Sequence, residues 1–180
     1  MHRNFLELSR VCFVVLYTSL VRPYLEYANT IWAPGRMCDI EKIEKVQMRA
    51  TKLIRGLSSR SYEERLRVLQ LPTLRYRQLR RDMIQLYKCV NNKYDIDFVL
   101  QLQYKSMLEK RYDTRSHWYK LVLQLCKYDL RKHFFVNRLV KLWNSLSDDV
   151  VSACSVSSFT RRLDLIWRGF SLYHDYKSVI

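Results

Sequence analysis

The sequence predicts a mainly α protein: a helical bundle followed by a small C-terminal α or α+β module. Two observations carry that expectation. Only three Gly and three Pro occur in 180 residues, where average usage of roughly 7% and 5% would give about thirteen and about nine. Apolar residues also recur three and four apart through most of the chain, the period of a helix with one buried face. So few breakers favour long helices over a many-turned β-sandwich. An apolar share of 48% with 13% aromatic residues supplies a core for one domain or two small helical modules, and that excludes a disordered basic tail.

Taken in order, residues 5–32 predict one helix, kinked at Pro23, with Phe5, Leu8, Cys12, Val15, Leu16 and Ser19 at helical spacing. Pro34-Gly35 stops it. Asp39 is placed to cap a second helix running to Arg55, with Ile40, Ile43, Val46, Ala50 and Leu53 inward and Gly56 past its end. Ser61-Tyr62-Glu63-Glu64 reads as a capping box opening a short helix to Leu69. After Leu71-Pro72, Thr73 caps a helix with Tyr76, Leu79, Met83, Leu86 and Val90 inward. Residues 91–114 are polar and mixed in pattern. Trp118 to Leu125 fits either period; the alternation of Tyr119, Leu121, Leu123 and Leu125 tilts it to a strand, while Trp118, Leu121, Val122 and Leu125 fit a helix. Asp129 caps a helix with Val136, Leu139, Val140, Trp143 and Leu146 inward and Arg131, Arg138 and Lys141 outward. A last helix, about Ser157 to Trp167, buries Phe159, Leu163 and Ile166. The domain reading is therefore a bundle over 1–92, a linker or loop over 93–114, and a C-terminal helical module with one short strand over 115–180.

Several function classes lack their residues. The longest apolar stretch, Val11 to Val21, is interrupted by Tyr17-Thr18-Ser19 and falls short of the ~20 residues that span a bilayer. Glu7 stands where a secretory leader would be apolar, so the chain reads as unsecreted and no membrane partner is expected. The five cysteines, at 12, 38, 89, 126 and 154, lack the close pairing of a zinc site and read as reduced, buried thiols of an intracellular protein. The four histidines have no ligand-spaced partners, and there is no phosphate-cradling Gly-rich loop or nucleophile elbow. The sequence therefore offers no catalytic residue, no metal ligand set, no cofactor and no small-molecule substrate. Asp148-Asp149 resembles a polymerase metal pair in composition only; it sits at a predicted helix end and reads as a solvated turn. Tyr24, Tyr27 and Trp32 are placed in the core rather than stacked on bases.

What remains is charge. Lys+Arg number 32 against 17 Asp+Glu, a formal net charge of +15. Lys42, Lys45, Arg49 and Lys52 step by three, four and three along one helix, a spacing that lets cations meet successive phosphates. The bland reading is a solvated face partly neutralised by Glu41. Arg75, Arg77, Arg80 and Arg81 form a second cluster with no acid before Asp82, and together the eight point to a backbone contact with nucleic acid.

A series of blocks in order is also recognisable. It runs from Leu16-Tyr17-Thr18-Ser19-Leu20-Val21-Arg22-Pro23-Tyr24-Leu25-Glu26-Tyr27 and Trp32 through Ile43-Glu44-Lys45-Val46-Gln47-Met48-Arg49-Ala50-Thr51-Lys52 and Ser61-Tyr62-Glu63-Glu64-Arg65-Leu66. Arg80-Arg81-Asp82-Met83-Ile84, Thr114-Arg115-Ser116-His117, Asp129-Leu130-Arg131-Lys132-His133-Phe134-Phe135, Leu142-Trp143-Asn144-Ser145-Leu146 and Ser155-Val156-Ser157-Ser158-Phe159 follow. Over about Leu16 to Ile166 the chain resembles the region after the palm in reverse transcriptases of non-LTR (LINE-type, jockey-like) retrotransposons.

The resemblance implies a polymerase-thumb-like bundle and C-terminal extension of an RNA-directed DNA polymerase, present in nucleus and cytoplasm. Its partners would be RNA or an RNA–DNA hybrid duplex and the remainder of a polymerase. The palm, with its divalent metals, the fingers and the endonuclease are not among these residues, as in a truncated element or a reading begun at an internal Met1. The chain would then be inactive alone. The competing readings are a non-catalytic interaction module or remnant whose basic surface only solubilises, and a helix-turn-helix built from Arg49 to Leu69.

Overall fold

The computed structural model describes residues 9–93, 102–105 and 118–178, and among them the protein is helical with no strand. The elements are α1 (Arg10–Leu16), a π-helical turn (Tyr17–Val21), α2 (Arg22–Glu26), α3 (Asn29–Trp32), α4 (Met37–Lys52), α5 (Tyr62–Leu69) and α6 (Leu74–Val90), followed by α7 (Asp129–Lys132), α8 (Phe135–Asn144), α9 (Asp148–Val151), α10 (Val156–Trp167) and a 3-10 turn (Ser171–Tyr173). None of the described helices is long and apolar enough to cross a membrane. The chain forms two compact units, Met1–Gln78 with Phe170–Ile180, and Leu79–Gly169. The division falls within α6. Most of the linker expected over 93–114, and Phe5 and Leu8, lie outside the described residues.

In the first unit, the helix expected over 5–32 is reshaped at two points. Pro23 has no N–H and its ring crowds the carbonyl four residues back; the chain widens there into the π turn, in which the Arg22 N–H donates to Tyr17 O. Ala28, in the left-handed region at φ 50°, then separates α2 from α3. The buried face is also not the expected one. Phe13 and Tyr17 are fully buried and stacked at 5.6 Å, while Cys12, Val15 and Ser19 are exposed. Phe13 and Tyr17 pack in a core with Ile54, Leu57, Leu66, Leu69 and Leu71. The capping box forms as the sequence predicts: Ser61 Oγ accepts from Glu64 N–H, and Glu64 Oε2 accepts from Ser61 N–H at 3.1 Å.

The end of the chain completes this unit. Leu172 is fully buried and Tyr176 nearly so. Thr73 donates through Oγ1 to Leu172 O at 2.7 Å and through its N–H to Tyr173 O at 3.0 Å. Thr73 Oγ1 also caps α6 by accepting from Tyr76 N–H.

In the second unit, α6, α8 and α10 bury Met83, Leu86, Leu139, Trp143, Phe159 and Leu163. Tyr87 stacks on Phe159 at 4.2 Å and donates its hydroxyl to Ala153 O. The helix expected from Asp129 is broken at His133 into α7 and α8. Arg138, expected outward, turns in to the buried carboxylate of Asp82, and its Nη1 donates to His133 O. In α10 the buried series is Phe159, Leu163 and Trp167, four apart, and Ile166 is exposed. Trp118 to Leu125 is neither helix nor strand. Among the described residues Leu121 pairs with Tyr104 in an isolated antiparallel bridge, flanked by bonds from Lys105 N–H to Lys120 O and from Val122 N–H to Gln103 O, and Asn144 holds the Leu121 N–H and C=O at 2.9 Å each. The five cysteines are free, and Cys12, Cys38 and Cys154 are exposed rather than buried as expected.

Candidate nucleic-acid interface

The candidate surface is built on α4, and its geometry starts from the face turned inward. That face is polar: Glu44, Gln47 and Thr51 are buried, whereas Val46 and Leu53, expected inward, are 40% and 43% exposed. Gln47 accepts from Tyr17 Oη at 2.7 Å and donates to Tyr62 Oη and Pro72 O, both at 3.0 Å. Glu44 accepts from Tyr62 Oη at 2.5 Å and from Leu74 N–H at 3.1 and 3.2 Å. Thr51 Oγ1 accepts from the Arg65 guanidinium at 3.1 Å. An apolar face tolerates small rotations of a helix about its axis; a network of directional bonds does not. Burial raises the pKa of the Glu44 carboxyl against the opposing pull of the Tyr62 and Leu74 donors. It also raises the Tyr17 and Tyr62 phenols, with Glu44 adding to both.

Lys42, Lys45, Arg49 and Lys52 fall within about 80° of arc at 3.6 residues per turn, on the side away from Glu44, Gln47 and Thr51, and span about 15 Å of helix axis. All four are exposed. Lys42 pairs with Asp39 at 2.9 Å and Lys45 with Glu41 at 3.5 Å, both pairs well solvated. The Asp39 bond raises the Lys42 pKa and lowers that of Asp39. Asp39 lies in the first turn of α4, whose cap position is held by Arg36. Arg49 and Lys52 have no ion-pair partner among the described residues.

The second cluster is placed differently. Arg75 donates to Tyr176 O at 2.6 Å and Ser178 O at 3.1 Å, and burial lowers its pKa. Arg77 clamps the buried Glu26 with Nε and Nη2. In the second unit Arg80 clamps Asp164 at 2.6 and 2.8 Å, and Arg81 is exposed. Three of these four guanidiniums are thus engaged inside their own unit, each by a partner remote in sequence. No local pattern shows such partners.

Asp148 and Asp149 are exposed in the first turn of α9, and among the described residues no group of three or more His, Cys, Asp or Glu is arranged to hold a metal ion. Tyr24 and Tyr27 are 84% and 78% exposed and Trp32 is 43% exposed, a correction to their expected place in the core. Trp32 instead anchors by its indole N–H on Tyr27 O at 2.5 Å. The inward face of α4 was legible only in retrospect, as polar residues at spacings of three and four. No family model, curated protein or solved structure matches the chain.

Proposed function

We propose that this chain is the thumb and C-terminal extension of a non-LTR retrotransposon reverse transcriptase, and that α4 grips an RNA–DNA hybrid or element RNA through its phosphates. The observation that carries this reading is the exposure of all four α4 cations on the side opposite a hydrogen-bonded buried face. Such a surface adds no chemistry of its own. It would fix the position of a template–primer while a palm and its metals act elsewhere in the polymerase. The same resemblance carries the proposed intracellular setting, in nucleus and cytoplasm.

The test is hybrid-duplex binding by the purified chain across a salt series, beside an unrelated protein of similar net charge. Four neutralised phosphates give a slope of about −3.6 in log K against log salt. Arg49→Ala with Lys52→Ala should bring it to about −1.8. A slope no steeper than the control, or one indifferent to that pair, overturns the reading.

A further inference from the structure

We propose that residues 118–134 of the second unit form a platform for single-stranded nucleic acid, in which exposed rings stack on unpaired bases and neighbouring cations meet the phosphates. The inference stands on this unit alone and does not rest on the reading of α4. Trp118, Tyr128 and Phe134 are 78%, 77% and 52% exposed. Rings so far out of a core leave aromatic surface open to whatever binds. Between them stand Lys120, Lys127, Arg131 and Lys132, with Asp129 the one acid of the segment. None of these cations has an ion-pair partner among the described residues.

The main chain beneath is held at several points. Trp143 Nε1 donates to Tyr119 O at 2.8 Å, and Asn144 fixes both polar groups of Leu121. Farther along, Asn137 Nδ2 donates to Arg131 O at 2.8 Å and Arg131 Nη2 to Gln124 Oε1 at 3.3 Å. These bonds close residues 124–131 into a loop that carries Tyr128. An ordered backbone bearing exposed rings and cations without an ion-pair partner lowers the ordering cost of stacking.

The occupant follows from the charge. An apolar protein surface would cover Leu125 and Leu130, which are 98% and 92% exposed, but it would also have to desolvate four cations against one acid. A polyanion with π faces satisfies rings and cations together. Unpaired bases are required, since bases stacked in a duplex hide the faces that Trp118, Tyr128 and Phe134 would contact.

The experiment is fluorescence anisotropy of the full chain with a labelled oligouridylate of about 12 nucleotides, with a hybrid duplex measured beside it. Tyr128→Ala with Phe134→Ala should weaken oligouridylate binding at least about tenfold and leave duplex affinity unchanged. Tyr128→Phe should bind as the parent does, because stacking needs the ring and not its hydroxyl. Thermal transitions equal to the parent's separate lost binding from lost fold, and Tyr128→Ala alone serves if the pair unfolds. The proposal falls if the parent binds no oligouridylate, or if only Arg131→Ala with Lys132→Ala weakens it, which is plain polyanion adherence. It falls equally if ring removal abolishes self-association in sedimentation while oligouridylate stays bound, which marks a protein-binding surface.

Discussion

Arg138 places Nη2 and Nε at 2.8 and 3.2 Å from one oxygen of the Asp82 carboxylate, joining α8 to α6 by an ion pair whose acid side chain is wholly buried and whose base is 12% exposed. Removing one member of a buried pair costs more than the pair is worth, because the other charge stays behind in a low dielectric. Arg138→Met should therefore destabilise by about 3 to 5 kcal/mol in urea unfolding. Asp82→Asn with Arg138→Met should cost clearly less. Equal losses for the single and double variants would mean that packing, not the stranded carboxylate, sets the cost.

Glu44 predicts a pH dependence of known sign. Its pKa is raised in the folded state, chiefly by burial, so its protonated form favours folding. That contribution is fully present below the unfolded carboxyl pKa and is lost as pH rises through the folded one. Relative to Glu44→Gln, which keeps an acceptor for Tyr62 and the Leu74 amide, the parent should gain stability as pH falls from 7 toward 4.3. Midpoints of urea unfolding measured for both proteins across that range check it; a parent that loses ground on acidification contradicts the sign. Glu44→Leu should cost about 1 to 3 kcal/mol for each buried donor it leaves unsatisfied.

The acids beside the α4 cations predict a gain of function. Asp39 and Glu41 hold Lys42 and Lys45, and such solvated pairs add little to stability. Asp39→Asn with Glu41→Gln should leave the melting transition in place and tighten hybrid-duplex binding, most strongly at low salt. Unchanged binding would exclude the N-terminal half of the stripe from the contact.

The end of the chain predicts the limits of any fragment. A protein ending at Gly169 loses the buried Leu172 and Tyr176 and the carbonyls that hold Thr73 and Arg75. It should expose apolar surface around α5 and the start of α6, read as increased binding of a hydrophobic dye and early hydrogen exchange in α5. Exchange in α8 and α10, which lie in the other unit, is the comparison. A fragment as protected in α5 as the full chain would show that the terminal residues are ornamental.

The mainly α class, the Ser61 cap and the Thr73 cap were legible in the sequence, because breakers, caps and apolar period act within a few residues. The failures share a cause. Ala50 packs on the core as expected, but the fully buried residues of α4 are Glu44, Gln47 and Thr51, which read as surface until Tyr17, Tyr62 and Leu74 are brought to Gln47 and Glu44 from elsewhere in the chain. The same distance effect moved Arg75, Arg77 and Arg80 from an apparent basic patch to internal partners, and turned Arg138 inward. The stripe from Lys42 to Lys52 was legible because one helix fixes it without help from any other segment.

Because Phe170–Ile180 belongs to the unit that begins the chain, that unit cannot close in the order in which it is made. Its α5 and the first turn of α6 leave the ribosome long before Leu172 and Tyr176 exist, and all of Leu79–Gly169 must be translated first. At about 5–20 residues per second this is a delay on the order of 5 to 20 s. Throughout it, the apolar ground on which Leu172 will sit is open to chaperones or to neighbouring nascent chains, and the later unit gains its last residue before the earlier one does.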